Sequence, residues 1–327
     1  MGKIQYINGT GIPHKSFEEE FLTHKKCSEW WYCTGYLGNV ERLFSYQFTL
    51  AKVRIAGIKF HILICAVTDI KNQKHYNIQK PIFFGKNVTT NAHELSVGEL
   101  VKVKLQENKF AKQGKMSIFM KMPDFELNVE LNTTKAPVWH CDDGVLQMGI
   151  QNNDKEKTYY YSYTNMETIG DLKVAGEEFK GLKGKTWFDR QGGTYSLTKS
   201  ECNWEWFSLR FFDNHEIMLF AFPHVNYYDG TYIDKDGNYR RLNDYKITAT
   251  EVITYNNMKF SNKWDLEING KQYQIVPKTD GMFNIFFFEL LASIIDETGK
   301  EVGYAFVELL PGVRNKNKFT DAFRKKK

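Results

Sequence analysis

Lys263-Trp264-Asp265-Leu266-Glu267-Ile268-Asn269-Gly270-Lys271-Gln272-Tyr273-Gln274-Ile275-Val276 is the stretch on which the reading of the fold turns. Trp264, Leu266 and Ile268 alternate with Lys263, Asp265 and Glu267, the period of a strand with one covered face. Asn269-Gly270 then offers two residues that take positive φ readily, as a two-residue hairpin turn requires. The same alternation recurs at Leu43 to Leu50, where Phe44, Tyr46, Phe48 and Leu50 oppose Ser45, Gln47 and Thr49. Asp236-Gly237 reads as a second hairpin, between Thr231-Tyr232-Ile233 and Asn238-Tyr239-Arg240. Phe211 to His215 and Asp296 to Lys300 read as further turns.

Working outward, roughly ten strand-like runs precede residue 180 and eight or nine follow it, with turn residues between them. Helical spacing is scarce, and Ser16 to Thr23 is the best short candidate. There is no phosphate loop, no dinucleotide fingerprint and no alternation of strands with helices. The fold class is therefore all-β, built from short antiparallel strands in sandwiches or barrels. The glycine-bearing polar stretch Glu177 to Lys185 sets the expected boundary between two units, residues 1–182 and 183–327.

Composition narrows the function classes. Lys and Arg total 44 against 39 Asp and Glu, a net charge of +5, but Arg324 to Lys327 supply four of those cations, so the body stands at 40 − 39 = +1. That lacks the broad basic field of a nucleic-acid binder. No apolar run reaches the roughly 18 residues of a membrane helix, so integral membrane association is not expected. The five cysteines form no CxxC pair, and the opening Met1 to Asn8 has no apolar signal core; both point to a reducing, cytoplasmic setting. The excess is aromatic, with 25 Phe, 18 Tyr and 7 Trp, residues that favour strands and line pockets for apolar ligands.

Three carboxylates and a group of aromatics stand out. In Phe283 to Leu291 one face reads Phe283, Ile285, Phe287, Glu289, Leu291; in Val302 to Glu308 one face reads Val302, Tyr304, Phe306, Glu308. A carboxyl on such a face is either structural, hydrogen-bonded to Tyr or Trp near a barrel mouth, or a general acid with a raised pKa. In Asn203 to Phe211, Trp204, Trp206, Ser208 and Arg210 share one side, and Glu205, Phe207, Leu209 and Phe211 the other, so both sides are expected to be covered. Arg210 reads as an anion or carbonyl anchor with cation–π support, or as an interface arginine. His140-Cys141-Asp142-Asp143 offers adjacent ligands that cannot all aim at one ion, and Asp234-x-Asp236-Gly237 lacks the rest of a calcium loop.

Five segments resemble, in order, the carotenoid 1,2-hydratase (hydroxyneurosporene synthase) and AttH-like family. They are Glu29 to Leu37 with Tyr46 to Leu50; Trp187-Phe188-Asp189-Arg190-Gln191-Gly192-Gly193, where the family carries aromatic-x-Asp-His-x-Trp-Gly; Asn203 to Phe211; Phe287-Phe288-Glu289; and Val302 to Leu309. The resemblance implies two consecutive lipocalin-like β units with a ligand cavity within or between them, and relatives that include hydratases and Diels–Alderase-type cyclases. It marks Asp189 as a third candidate acid, and Trp30, Tyr32, Trp204, Trp206, Arg210 and Tyr304 as substrate contacts. This chain departs from the pattern: Arg190 stands where the family has His, a glycine replaces its Trp, Leu290 follows Glu289 in place of Gly, and Pro311 replaces Thr. A cation facing Asp189 would favour its ionised form and spoil it as an acid, although neighbours on a strand point to opposite faces.

The functional expectation is an enzyme of specialised metabolism acting on a hydrophobic polyene, prenyl or polyketide-derived small molecule by acid-assisted hydration or cyclisation. Glu289 is the preferred acid over Asp189 and Glu308. The competing readings are a non-catalytic carrier of a hydrophobic ligand and a purely structural protein with a filled interior. No metal or organic cofactor is expected. Elemental analysis of the purified chain is accordingly expected to find no stoichiometric metal, and chelation to leave its activity unchanged; a bound metal whose removal abolishes activity would overturn this reading.

Overall fold

The computed structural model describes residues 4–5, 13–14, 21–24, 28–55, 58–83, 85, 87–105, 114–141, 144–148, 157–194, 203–255, 258–284 and 287–310. The chain forms two compact units: residues 1–139 with 158–194, and residues 140–157 with 195–327. Both are antiparallel β structures curled into half-barrels, as two lipocalin-like units require. The longest helical element among the described residues is the three-residue turn Pro223–Val225. None is long and apolar enough to cross a membrane.

In chain order the first unit holds β1 (Ile4–Gln5), β2 (Pro13–His14), β3 (Ser28–Gly38), β4 (Leu43–Ile55), β5 (Ile58–Asp69), β6 (Lys74–Phe83), β7 (Val88–Thr90), β8 (Glu94–Val97), β9 (Val101–Leu105), β10 (Lys115–Lys121), β11 (Phe125–Thr133) and β12 (Val138–Trp139). After β13 (Val145–Gln147) of the second unit come β14 (Lys157–Val174) and β15 (Glu177–Thr194). The main sheet of the first unit runs β6-β5-β4-β3-β15-β14-β11-β10-β9-β8-β7. The second unit continues with β16 (Trp204–Phe211), β17 (Glu216–Phe222), β18 (Tyr227–Ile233), β19 (Tyr239–Arg241), β20 (Tyr245–Tyr255), β21 (Met258–Ile268), β22 (Lys271–Pro277), β23 (Met282–Asn284), β24 (Phe287–Asp296) and β25 (Glu301–Leu310). Its sheet runs β19-β18-β17-β16-β25-β24-β22-β21-β20, with β23 folded back on β24.

Each curl closes on its own core. Phe44, Tyr46, Phe48 and Leu50 of β4 enter the first core with Trp31, Cys33 and Leu37 of β3 and Phe188 of β15. Trp264, Leu266 and Ile268 of β21 enter the second with Tyr273 and Ile275 of β22, while Asp265 and Glu267 face solvent. Asn269 and Gly270 take φ of 52° and 72°, and Ile268 pairs with Lys271, so the hairpin forms where its dipeptide called for it. Asp234 caps the 234–238 turn by accepting the backbone N–H groups of Asp236 and Asn238.

The expected boundary between residues 182 and 183 falls inside β15, which pairs with β3 from Lys183–Gly38 to Gly193–Ser28. Gly184 is a strand residue at a close approach rather than part of a linker. A Cβ there would lie 1.8 Å from the Tyr36 carbonyl oxygen. The chain leaves the first unit only after Thr194. The helix expected over Ser16 to Thr23 lies mostly outside the described residues, as do Asp142, Asp143 and the basic residues 324–327. Because backbone cannot yield as a side chain can, Gly184→Ala should lower stability by about 2–3 kcal/mol. Urea denaturation checks this; an unchanged midpoint would mean that β3 and β15 are not held this closely.

Candidate functional site

The central strands are buried on both faces, so their alternation divides core from a second, more polar face. In the first unit this second face carries the rows Thr34–Trp187, Tyr32–Asp189 and Trp30–Gln191 across β3 and β15. Asp189 is buried, and its Oδ1 accepts the Ser162 hydroxyl and, at 2.5 Å, the Trp187 indole N–H. Gln191 donates to Thr158 Oγ1 at 2.7 Å. Tyr32 is buried across from Asp189, and Trp30 is half-buried one row on.

Arg190 does not join Asp189. The pleat turns it to the opposite face, where its guanidinium lies 4.3 Å from the Trp31 ring centre and donates to Glu29 Oε2 at 2.5 Å. Glu29 is fully buried and also holds Lys52 Nζ, the His24 backbone N–H at 2.9 Å and His24 Nδ1 at 3.0 Å. Burial alone would raise this carboxyl. Arg190, a hydrogen bond from His24 and Lys52 outweigh it and hold the pKa at about 2. Arg190 therefore serves a buried ion network rather than the neighbouring aspartate.

In the second unit, Trp204, Trp206, Ser208 and Arg210 share the second face and are buried, while Phe207, Leu209 and Phe211 enter the core. One row crosses six strands in register: Asp229, Phe220, Trp206, Glu308, Glu289 and Met282. Glu289 and Glu308 thus stand directly opposite one another on adjacent strands. Glu289 is buried, and Asn284 Nδ2 donates to its Oε2. Glu308 is half-buried and accepts the Trp204 indole N–H at 2.9 Å. The Trp204 ring packs between Phe220 and Phe287 at 5.7 and 5.9 Å.

Arg210 and Tyr304 lie opposite each other on this face, four residues from Trp206 and Glu308 and so about 13 Å along the strands. Arg210 also faces Glu216 in register and donates to Ser208 at 3.1 Å. Tyr304 packs against Phe212, with Lys278 over its ring at 4.8 Å.

Two details of the sequence reading change. Phe283 and Glu289 do not lie on one strand. The chain folds back between β23 and β24, pairing Phe283 with Phe288 and placing both on the core side, and Ile285 lies outside the described residues. Phe287 and Leu291 do share the side of Glu289. Val302 also leaves the face of Tyr304, Phe306 and Glu308, because a register shift opposite Ile294 and Ile295 skips it and it packs on the core.

Sequence reasoning missed Asp229, fully buried in the same row as Glu289, paired with Arg241 at 2.8 Å and accepting the Tyr227 hydroxyl at 2.8 Å. The alternation Tyr227, Asp229, Thr231 was the available signal. His140 and Cys141 are buried, and burial pushes the His140 imidazole down to about 3. Two open grooves of about 370 and 380 Å³ lie at turn ends of the second unit, around Arg240 to Lys246 and around Phe211 to His215; neither is lined by a candidate acid or tryptophan.

Two curled antiparallel β units, each closed on its own core, make up the chain. The chain belongs to the AttH-like family, whose model matches residues 13–312. In fold it is similar to a Nitrosomonas europaea protein described as an AttH, with a TM-score of 0.78 and 18% identity over 91% of this chain and 98% of that one. It is also similar to kievitone hydratase from Nectria haematococca, with a TM-score of 0.72 and 17% identity over 94% and 95% of the two chains. CghA, with a TM-score of 0.52 and 9% identity over 87% and 88%, shares the fold more loosely. At these identities the likeness is one of fold. No curated protein sequence matches the chain significantly.

The Glu29 network makes a pH-dependent prediction. Its folded pKa of about 2 lies below the ordinary 4.5, so its contribution is fully present above pH 4.5 and is lost as pH falls toward 2. The full contribution is about 3 kcal/mol. Arg190→Met should cost about 3–5 kcal/mol at pH 7 and flatten that acid limb. Urea midpoints between pH 7 and pH 2 check both expectations. His140 destabilises both proteins alike as pH falls below 6.5, so the difference between them isolates Glu29.

Proposed function

We propose that this protein is an enzyme that hydrates or cyclises a hydrophobic polyene, prenyl or polyketide-derived small molecule by acid assistance, with Glu289 as the acid. The observation that carries the reading is the opposed pair Glu289–Glu308 beside Trp204 and Trp206. Two carboxylates directly opposite on a sheet repel when both are ionised. The pair keeps a proton most readily on Glu289, the member shut away from solvent. Glu308, holding the Trp204 N–H and reaching partial solvent, remains the acceptor.

In the hydration form, Glu289 transfers its proton to one alkene carbon and the adjacent carbon becomes electron-poor. The Trp204 and Trp206 ring faces stabilise that developing positive charge. Water adds its oxygen there and gives its surplus proton to Glu308, so one water is consumed and the pair returns to its starting charge after internal proton return. In the cyclisation form an internal nucleophile or alkene takes the place of water, and holding the reactive conformer supplies most of the rate. Arg210 and Tyr304, farther along the face, suit a polar terminus of the substrate. Asp189, with Trp30 and Tyr32, is the second candidate acid; its two donors, Ser162 and Trp187, suit a carboxylate that stays an acceptor.

Membership in the AttH-like family and the shared fold with an enzyme named as a hydratase support this reading. A carrier reading needs only the apolar face and leaves the carboxyl pair unexplained. The test offers kievitone and other prenyl or polyene compounds to the purified chain and follows, by mass spectrometry, the gain of one water or an isomeric ring product. Glu289→Gln should cut turnover about 10²-fold or more while substrate binding survives. Binding without product in the wild-type chain would establish the carrier reading, and near-normal turnover in the folded variant would move the acid elsewhere.

A further inference from the structure

Glu205 of the second unit faces the half-barrel interior and has no part in the proposed reaction. The alternation that sends Trp204 and Trp206 of β16 to one face sends Glu205 to the other, beside the core residue Phe207. Both Glu205 oxygens accept neutral donors: the Ser261 hydroxyl reaches Oε1 at 2.5 Å, and the Trp264 indole N–H reaches Oε2 at 2.9 Å. No ion pair to Glu205 occurs among the described residues. Burial raises its carboxyl against the pull of these two hydrogen bonds. Glu205 as a residue is only partly buried.

Aromatic rings gather at the same end of the half-barrel. Glu205 lies in register with Leu309, Leu309 with Phe288, and Phe288 with Phe283. Phe260 stacks on Phe288 at 4.6 Å, and Tyr255 lies 5.5 Å from Phe283 and 6.1 Å from Phe288. Phe283 is half-buried and Tyr255 is exposed, so the ring cluster opens outward.

With neutral donors alone among the described residues, this carboxylate lacks a counter-charge there that would offset its lost hydration. By register Phe288 stands two strands and Phe283 three strands from Glu205, about 10 and 14 Å, within reach of an alkyl chain whose ammonium meets the carboxylate. Anionic ligands would meet repulsion there, and neutral ones would leave the carboxylate uncompensated. We propose that this end of the second half-barrel is a binding site for an apolar amine, its ammonium group against Glu205 and its hydrocarbon on Phe260, Phe283 and Tyr255. The site is independent of the Glu289–Glu308 pair, which lies on the opposite face of the same sheet.

Isothermal titration of the full chain with octylammonium, octanol and octanoate at neutral pH tests this. Octylammonium should bind at one site per chain about tenfold or more tightly than octanol, and octanoate should not bind. Glu205→Gln should erase the preference and leave octanol affinity as it was, whereas Glu289→Gln should leave octylammonium binding untouched even if it abolishes turnover. If Glu205→Gln fails to fold, Tyr255→Leu at its exposed position should lower octylammonium affinity more than octanol affinity. Equal affinities for amine and alcohol, a preference that survives Glu205→Gln, an equal loss for both probes in Tyr255→Leu, or no saturable amine binding would each overturn the proposal.

Discussion

An extended chain turns successive side chains to opposite faces, and in the central strands of both sheets both faces are buried. That constraint organises the molecule. In β3, β15, β16, β24 and β25 one parity builds a core and the other builds a lining of Trp, Tyr, Ser, Asp and Glu. A one-residue slip in any of them would exchange the two sets and bring Asp189 or Glu289 into the hydrocarbon of a core. Register is therefore tied directly to chemistry, and close-packed glycines such as Gly184 help set it.

The buried carboxyls that result have four different surroundings. Glu29 is surrounded by Arg190, Lys52 and His24, and the excess of positive charge keeps it ionised far into acid. Asp229 takes a two-pronged guanidinium from Arg241 and a tyrosine hydroxyl. Among the described residues Glu205 has a serine hydroxyl and an indole N–H. Glu289 has an amide donor and another carboxyl across the strand. The first two arrangements set a guanidinium against the carboxylate.

Much of this was legible beforehand because its causes are local. The Asn269-Gly270 turn, the Phe44–Leu50 alternation and the two-sided character of Trp204 to Phe211 follow from φ preferences and a period of two, which neighbouring residues set among themselves. Phe283 and Val302 were misassigned for an equally local reason. A fold-back between residues 284 and 287 and a skipped residue at 302 each change which face follows, and alternation carried through such a point assigns the wrong side.

By itself, then, the sequence determined the all-β class, the hairpin turns, the composition of each strand's faces and the kinship with the AttH-like family. Which of two buried faces is core was decided only by the tertiary structure, because both faces carry aromatics and the difference lies in what packs on them. The partners of the charges were also decided there. Arg190 stands next to Asp189 in the chain yet binds Glu29, since the pleat separates neighbours and the pairing of β3 with β15 brings distant residues together. Glu289 and Glu308 are 19 positions apart in the sequence and meet because β24 and β25 pair in that register and no other.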